Sequence, residues 1–212
     1  MWSIILCFVI GIELAIAADA PKVKVDLYYE SLCPYCRAFI AKQLWPTYEK
    51  VKDIMDITLI PFGNAYKKNK NGTLSFSCQH GPNECIGNVI EACAIEHIKN
   101  FDEYFPYITC MEKDIVFGPE KSARMCAVNT TLPLADILTC SKGREGLNLE
   151  DQAANRTNSL IPKKKYVPWV VLNGEHTQKI SNRALSNLLG LVCSTYKGTK
   201  PAPCSAKHHV IG

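Results

Sequence analysis

Eleven cysteines in a chain of 212 residues constrain the fold more than any other feature, because whether they pair depends on the compartment in which the chain folds. The N-terminus speaks to that compartment. Ile4 to Ile12 is an apolar run well short of the roughly 20 residues that span a bilayer. The small residues Ala15, Ala17 and Ala18 follow it, so residues 1–18 read as a secretory signal cleaved ahead of Asp19. The segment departs from the usual signal in lacking Lys or Arg before the run and in carrying Glu13. No later stretch reaches membrane-spanning length, so a soluble protein of the secretory pathway with no membrane span is expected. Three sequons, at Asn71, Asn129 and Asn155, agree with that route and are candidate glycosylation sites.

Loss of Cys7 with the signal leaves an even set: Cys33, Cys36, Cys78, Cys85, Cys93, Cys110, Cys126, Cys140, Cys193 and Cys204. In an oxidising lumen such a set reads as disulfides. Cys78-x6-Cys85-x7-Cys93 does not have a conventional zinc spacing, so no metal is expected. With Cys33 and Cys36 set apart, the other eight are expected to form structural bridges whose pairing the sequence leaves open. Cys204 can close on Cys193 or on another chain, which leaves a monomer and a disulfide-linked dimer both open. The net charge of +4, from 24 Lys plus Arg against 20 Asp plus Glu, is too small and too scattered to argue for a nucleic-acid partner.

Val23 to Tyr29 alternates and is rich in β-branched and aromatic residues, which predicts a strand. Phe39, Ile40, Leu44, Tyr48 and Val51 then recur at helical spacing, giving an amphipathic helix kinked at Pro46. Ile57 to Phe62 predicts a buried strand. From about Gly63 to Lys165 the readable periodicity is helical, with candidates at Asn88–Phe105, Glu120–Val128 and Pro133–Ser141, so this segment reads as a cysteine-stapled helical insertion. Tyr166 to Leu172 returns to strand, Asn173-Gly174 suits a type I′ turn with His176–Ile180 as hairpin partner, and Asn182–Tyr196 predicts the closing helix. The expected organisation is a signal at 1–18, an α/β domain split between 19–62 and 166–196, the insertion at 63–165, and a tail at 197–212 read as loop or removable extension. The element order is β-α-β, helical insert, β-β-α.

Cys33-Pro34-Tyr35-Cys36 falls where the first strand hands over to a helix. Unpaired amide groups and the positive end of the helix dipole favour a thiolate there, which makes Cys33 the candidate nucleophile. Cys36, one turn further in, is expected to be more buried and to resolve the mixed disulfide. Pro34 suits the first helical position, and Arg37 is a candidate source of positive charge. An ordinary thiol with a pKa near 8.5 is only about 0.03% thiolate at pH 5, whereas one shifted to roughly 4–5 is half ionised or more. Other readings are a structural Cys33–Cys36 disulfide or half of a zinc site.

Cys78-Gln79-His80-Gly81-Pro82-Asn83-Glu84-Cys85-Ile86-Gly87-Asn88-Val89-Ile90-Glu91-Ala92-Cys93 resembles the signature CQHGxxECxxNxxxxC of the gamma-interferon-inducible lysosomal thiol reductase family. With the upstream CxxC and downstream Tyr166-Val167-Pro168-Trp169, the resemblance covers roughly residues 23–196. It implies a thioredoxin-like fold, with Pro168 as the cis-proline beside the active-site pair and Tyr35 within it. It also implies reduction of disulfide-bonded proteins at acidic pH by Cys33 and Cys36 in endosomes or lysosomes. No bound cofactor is implied; a small-thiol reductant is the expected external electron donor. A secretory-pathway oxidase or isomerase and a secreted, disulfide-rich binding protein are the alternatives, and the destination is lysosomal or extracellular. Gln79-His80-Gly81 reads as a turn with Gly81 at a demanding backbone angle. His80 has a structural role or one near the active site, His97 reads as a packed or surface residue, and Lys163-Lys164-Lys165 as a solvated loop.

Overall fold

The structure, a computed structural model, describes residues 20–71 and 73–205. The signal segment and the last seven residues therefore lie outside the described residues. Strand β1 (Val23–Tyr29) buries Val23, Val25, Leu27 and Tyr29 and is the centre of a three-stranded sheet. It pairs in parallel with β2 (Met55–Pro61) and antiparallel with β5 (Trp169–Leu172). The connection from β1 to β2 is helical: α1 (Pro34–Phe39), a wider turn over Ile40–Leu44, then α2 (Trp45–Val51). Pro46 lacks the N–H that would continue the regular ladder, and the widened turn immediately before it absorbs the mismatch. Phe39, Ile40 and Leu44 pack on the sheet and share one core with Leu188 and Val192 of the closing helix α8 (Gln178–Thr195).

The segment between β2 and β5 opens on a hairpin rather than a helix, with β3 (Tyr66–Lys70) antiparallel to β4 (Thr73–Ser77). Five helices follow: α3 (Pro82–Ile98), α4 (Phe101–Asp114), α5 (Pro119–Cys126), α6 (Leu134–Lys142) and α7 (Arg144–Asn158). The single helix expected over 88–105 is two. Lys99 takes a φ of 60° and breaks the first, and the Asn100 side chain accepts from Asp102 N–H to start the second.

Asn173 and Gly174 have φ of 50° and 83°, as a type I′ turn requires, but the expected hairpin partner does not form. One bridge between Leu172 and Glu175 is all that follows β5, and Thr177 already caps α8 by accepting from Ile180 N–H at 3.1 Å. The expected β-β-α ending is therefore a strand, a bridge and a helix.

Four disulfides staple the fold: Cys78–Cys85, Cys93–Cys140, Cys110–Cys126 and Cys193–Cys204. The last closes within the chain and ties the segment after α8 back onto that helix, so the tail is anchored as far as Cys204 rather than loose from Lys197. Among the described residues no helix is long and apolar enough to cross a membrane.

Candidate active site

After β1 the chain turns through Glu30, Ser31 and Leu32, with Cys33 N–H reaching back to the Glu30 carbonyl at 3.3 Å. Cys33 is the cap residue of α1 and Pro34 opens the helix, where its missing N–H would have had no helical partner. Both thiols are free, Cys36 fully buried and Cys33 with only 4% of its surface exposed. The burial is unequal in effect. The Cys36 S–H bonds to Cys33 and lowers the Cys33 pKa to about 6, working against desolvation and helped by the backbone N–H groups of Cys36 and Tyr35 and by the charge of His80. Burial pushes the Cys36 thiol far above its ordinary value, and the neighbouring Cys33 adds to that. The pair is thus a nucleophile poised near neutrality beside a thiol that stays protonated.

Arg37 does not serve the thiolate. Its guanidinium donates to the carbonyls of Glu112 at 2.7 Å and Lys113 at 2.8 Å, capping the C-terminal end of α4. Val167–Pro168 is a cis peptide, and a second lies at Ile161–Pro162, which nothing in the sequence marked. Tyr166, Val167 and Pro168 face Tyr35, Phe39 and Lys42 across a groove of about 400 Å³. Tyr35 projects into solvent at 76% exposure.

The signature segment packs against the turn that precedes Cys33. Cys78–Cys85 closes its loop, Gly81 takes a φ of 90°, and α3 starts directly after it. Asn88 Oδ1 accepts from Ser31 N–H at 2.9 Å, and the Glu84 carbonyl accepts from the Ser31 hydroxyl at 3.1 Å. A Cβ on Gly87 would stand 2.4 Å from the Ser31 hydroxyl oxygen, so only glycine lets α3 come this close to the turn before Cys33. Gln79 accepts from the Asn64 side chain at 2.7 Å. His80 Nδ1 lies 2.5 Å from Glu84 Oε2 and 3.6 Å from Glu30 Oε2. His80 thus lies at the active-site end, within electrostatic reach of Cys33 and held by the Glu84 carboxylate.

Glu30 is fully buried, and desolvation, aided by the charge of Glu84, raises its pKa to about 7 against the Asn64 N–H that bonds it. Lys164 is not part of a solvated loop. It is half-buried, bonds Asn64 Oδ1, and lies within electrostatic reach of Glu30 and Cys36, while burial lowers its pKa. Behind Cys33 a second acidic group is sealed in the core: Tyr29 donates its hydroxyl to Glu91 Oε2 at 2.5 Å, and Glu112 faces Glu91. Burial raises Glu91 to about 7 and Glu112 well above the carboxylate range.

Other candidates lie away from the thiols. His97 pairs with Glu145 at 3.2 Å. Asn71 and Asn129 are exposed and at positive φ. Asn155 is exposed inside α7, where the Thr157 hydroxyl of its sequon is buried and donates to the Ala153 carbonyl.

The profile of the gamma interferon inducible lysosomal thiol reductase (GILT) family matches residues 24–130. A protein named gamma-interferon-inducible lysosomal thiol reductase from Carassius auratus is 43% identical over 195 residues, covering 91% of this chain and 76% of that protein. One of the same name from Mus musculus is 40% identical over 190 residues, covering 88% and 73%. Among solved structures, Chlamydia trachomatis DsbA aligns over 73% of this chain and 76% of its own with a TM-score of 0.53 at 10% identity. Reduced DsbA1 from Neisseria meningitidis aligns over 84% and 89% with a TM-score of 0.51 at 13% identity, and the two likenesses show the thioredoxin-like fold. On its sequence across both the CxxC and the signature segment, this chain belongs to the GILT family of thiol reductases.

Proposed function

We propose that the chain is a thiol-disulfide reductase that opens disulfide bonds of protein substrates, with Cys33 as nucleophile and Cys36 as resolving thiol. The observation that carries this is the unequal pair: a Cys33 thiol lowered to about 6 hydrogen-bonded to a buried Cys36 thiol held protonated. The Cys33 thiolate attacks one sulfur of a substrate disulfide, a Cys33–substrate bond forms, and the other substrate sulfur leaves as a thiolate that takes up a proton. Cys36 then gives up its proton and attacks Cys33 Sγ. The second substrate sulfur leaves, is protonated, and the Cys33–Cys36 disulfide closes. Two electrons have passed to the substrate, and an external small thiol restores the pair. The groove between Tyr35 and Val167–Pro168 opens beside this helix turn and is the proposed seat of the substrate chain.

A thiol at about 6 is roughly one-tenth ionised at pH 5, some hundreds of times more than an ordinary cysteine. That supports work in an acidic lumen. The relatives' names also support endosomes or lysosomes as its site of action.

Cys36→Ser tests the order of attack. Incubated with a disulfide-bonded protein, this variant is expected to accumulate a mixed disulfide through Cys33, seen as a mass adduct that excess thiol removes. No adduct with Cys36→Ser, or an equal one with Cys33→Ser, would reverse or remove the assigned roles.

A further inference from the structure

We infer that Glu30, His80 and Glu84 form a binding site for a divalent cation of the zinc class. The three come from different places, Glu30 from the turn after β1, His80 from the signature loop and Glu84 from the first turn of α3, so only the His80–Glu84 spacing is visible in the sequence. What joins them is orientation. Glu30 Oε1 accepts from Asn64 N–H at 2.5 Å, and Glu84 Oε1 accepts from His80 N–H at 3.0 Å. Each carboxylate therefore has one oxygen pinned by the backbone and turns the other, Oε2, towards the same atom, His80 Nδ1. The three ligand atoms lie within 4.8 Å of one another.

A tetrahedral zinc ion with bonds of about 2.0–2.2 Å holds its ligand atoms roughly 3.3–3.6 Å apart. The Glu30–His80 separation of 3.6 Å already fits, and the Glu84–His80 contact of 2.5 Å must open by about 1 Å. The two backbone-held Oε1 atoms supply the outer support that such ligands need. Glu30 Oε2 is a buried oxygen with no hydrogen-bond partner, on a side chain with no exposed surface. A cation at this point would satisfy it. Gly63 leaves the room that side chain occupies, since a Cβ there would stand 2.3 Å from Glu30 Cγ. His80, a third exposed, is the side from which an ion enters.

One imidazole and two carboxylates are a zinc-type donor set that leaves a fourth position for water or a thiolate. The facing charges are Lys164, which opposes a cation, and Cys33, which favours one. Two further groupings among the described residues, Cys78/Cys85/Glu150 and His97/Cys140/Glu145, rely on sulfurs already in disulfides and offer no equivalent.

The test uses the protein with the Cys33–Cys36 disulfide closed, so that the active-site thiols are not ligands and the outcome is independent of the reductase reading. Titration with zinc chloride at pH 7.4, followed by calorimetry, is expected to show one ion per chain. Glu84→Gln and His80→Ala are each expected to weaken binding at least tenfold, with circular dichroism confirming the fold. At pH 4.5 protons compete for the same atoms, and binding to the unaltered protein is expected to fall by at least as much. Absence of binding at pH 7.4, or binding unchanged in folded Glu84→Gln and His80→Ala, would overturn the site.

Discussion

In the oxidised state the protein is expected to unfold about 10 °C higher at pH 4.5 than at pH 8.5. The cause is the set of carboxyl groups that folding removes from water. Glu91 and Glu30 are raised to about 7 and Glu150 to about 8, in each case chiefly by desolvation, and Glu112 is raised further behind them. Each folded-state pKa lies above that of the unfolded chain, so the folded state holds protons that the unfolded state releases. The resulting stability is fully present below pH 4.5 and is lost as pH climbs through 7 to 8. A discounted contribution of roughly 1 kcal/mol from each of three groups gives about 3 kcal/mol, or close to 10 °C for a domain of this size.

Oxidation of the active-site pair matters to the measurement. Cys33 is shifted downward, to about 6, and in the reduced protein it adds stability as pH rises from 6 towards 9, opposing the carboxyls. Calorimetric scans of the oxidised protein at the two pH values check the sign. A higher unfolding temperature at pH 8.5 would mean that these carboxylates are solvated in the folded state.

Removal of the Cys93–Cys140 bridge by paired alanine substitutions is expected to cost about 4 kcal/mol, the chain-entropy value for a cross-link closing 47 residues. The bridge joins α3 to α6, and both cysteines are buried. Its loss falls on the helix that carries Glu84, Gly87 and Asn88 to the turn before Cys33, so activity should decline along with stability. The Cys193–Cys204 bridge closes a separation of only 11 and ties down only the end of the chain. Its removal should cost less, about 2.5–3 kcal/mol on the same scale. Denaturant unfolding of the two double variants gives the comparison. Equal losses would show that loop length does not set the contribution of these bridges.

The parts of the fold that the sequence announced are those whose buried face is made of large apolar residues. Strand β1 alternates, the helical connection from α1 to α2 repeats Phe39, Ile40, Leu44 and Tyr48 on one side, and β2 buries Met55, Ile57, Leu59 and Ile60, so each carries its own period. Helix α7 does not. It packs through small residues: Gly146 lies against α3 and α6, where a Cβ would stand 2.6 Å from Val89 Cγ1, and Ala153 and Ala154 pack with Tyr28, Ile60 and Trp169 on the sheet. Strand β3 is Tyr-Lys-Lys-Asn-Lys, held by pairing with β4 rather than by an apolar face.

The CxxC and the proline before β5 were legible because each sits at an element boundary. The meeting of Glu30, His80, Glu84 and Lys164 was not, since it depends on how the signature loop lies against the turn after β1. The one visible trace was the His80–Glu84 spacing, and that also suits an ordinary helix-start contact. Arg37 shows the converse. Adjacency to Cys36 in sequence suggested a role at the thiols, but the helix turns its side chain to α4.

Reduction of a disulfide-bonded protein by this chain at pH 4.5 and pH 7.4, beside Cys33→Ser, decides whether Cys33 works in acid. With a Cys33 thiol at about 6, a few per cent of the nucleophile is ionised at pH 4.5, so turnover is expected to be readily measured there and to be absent from Cys33→Ser at both pH values. Turnover confined to pH 7.4, or retained by Cys33→Ser, would contradict a reductase that works in acid through this thiol.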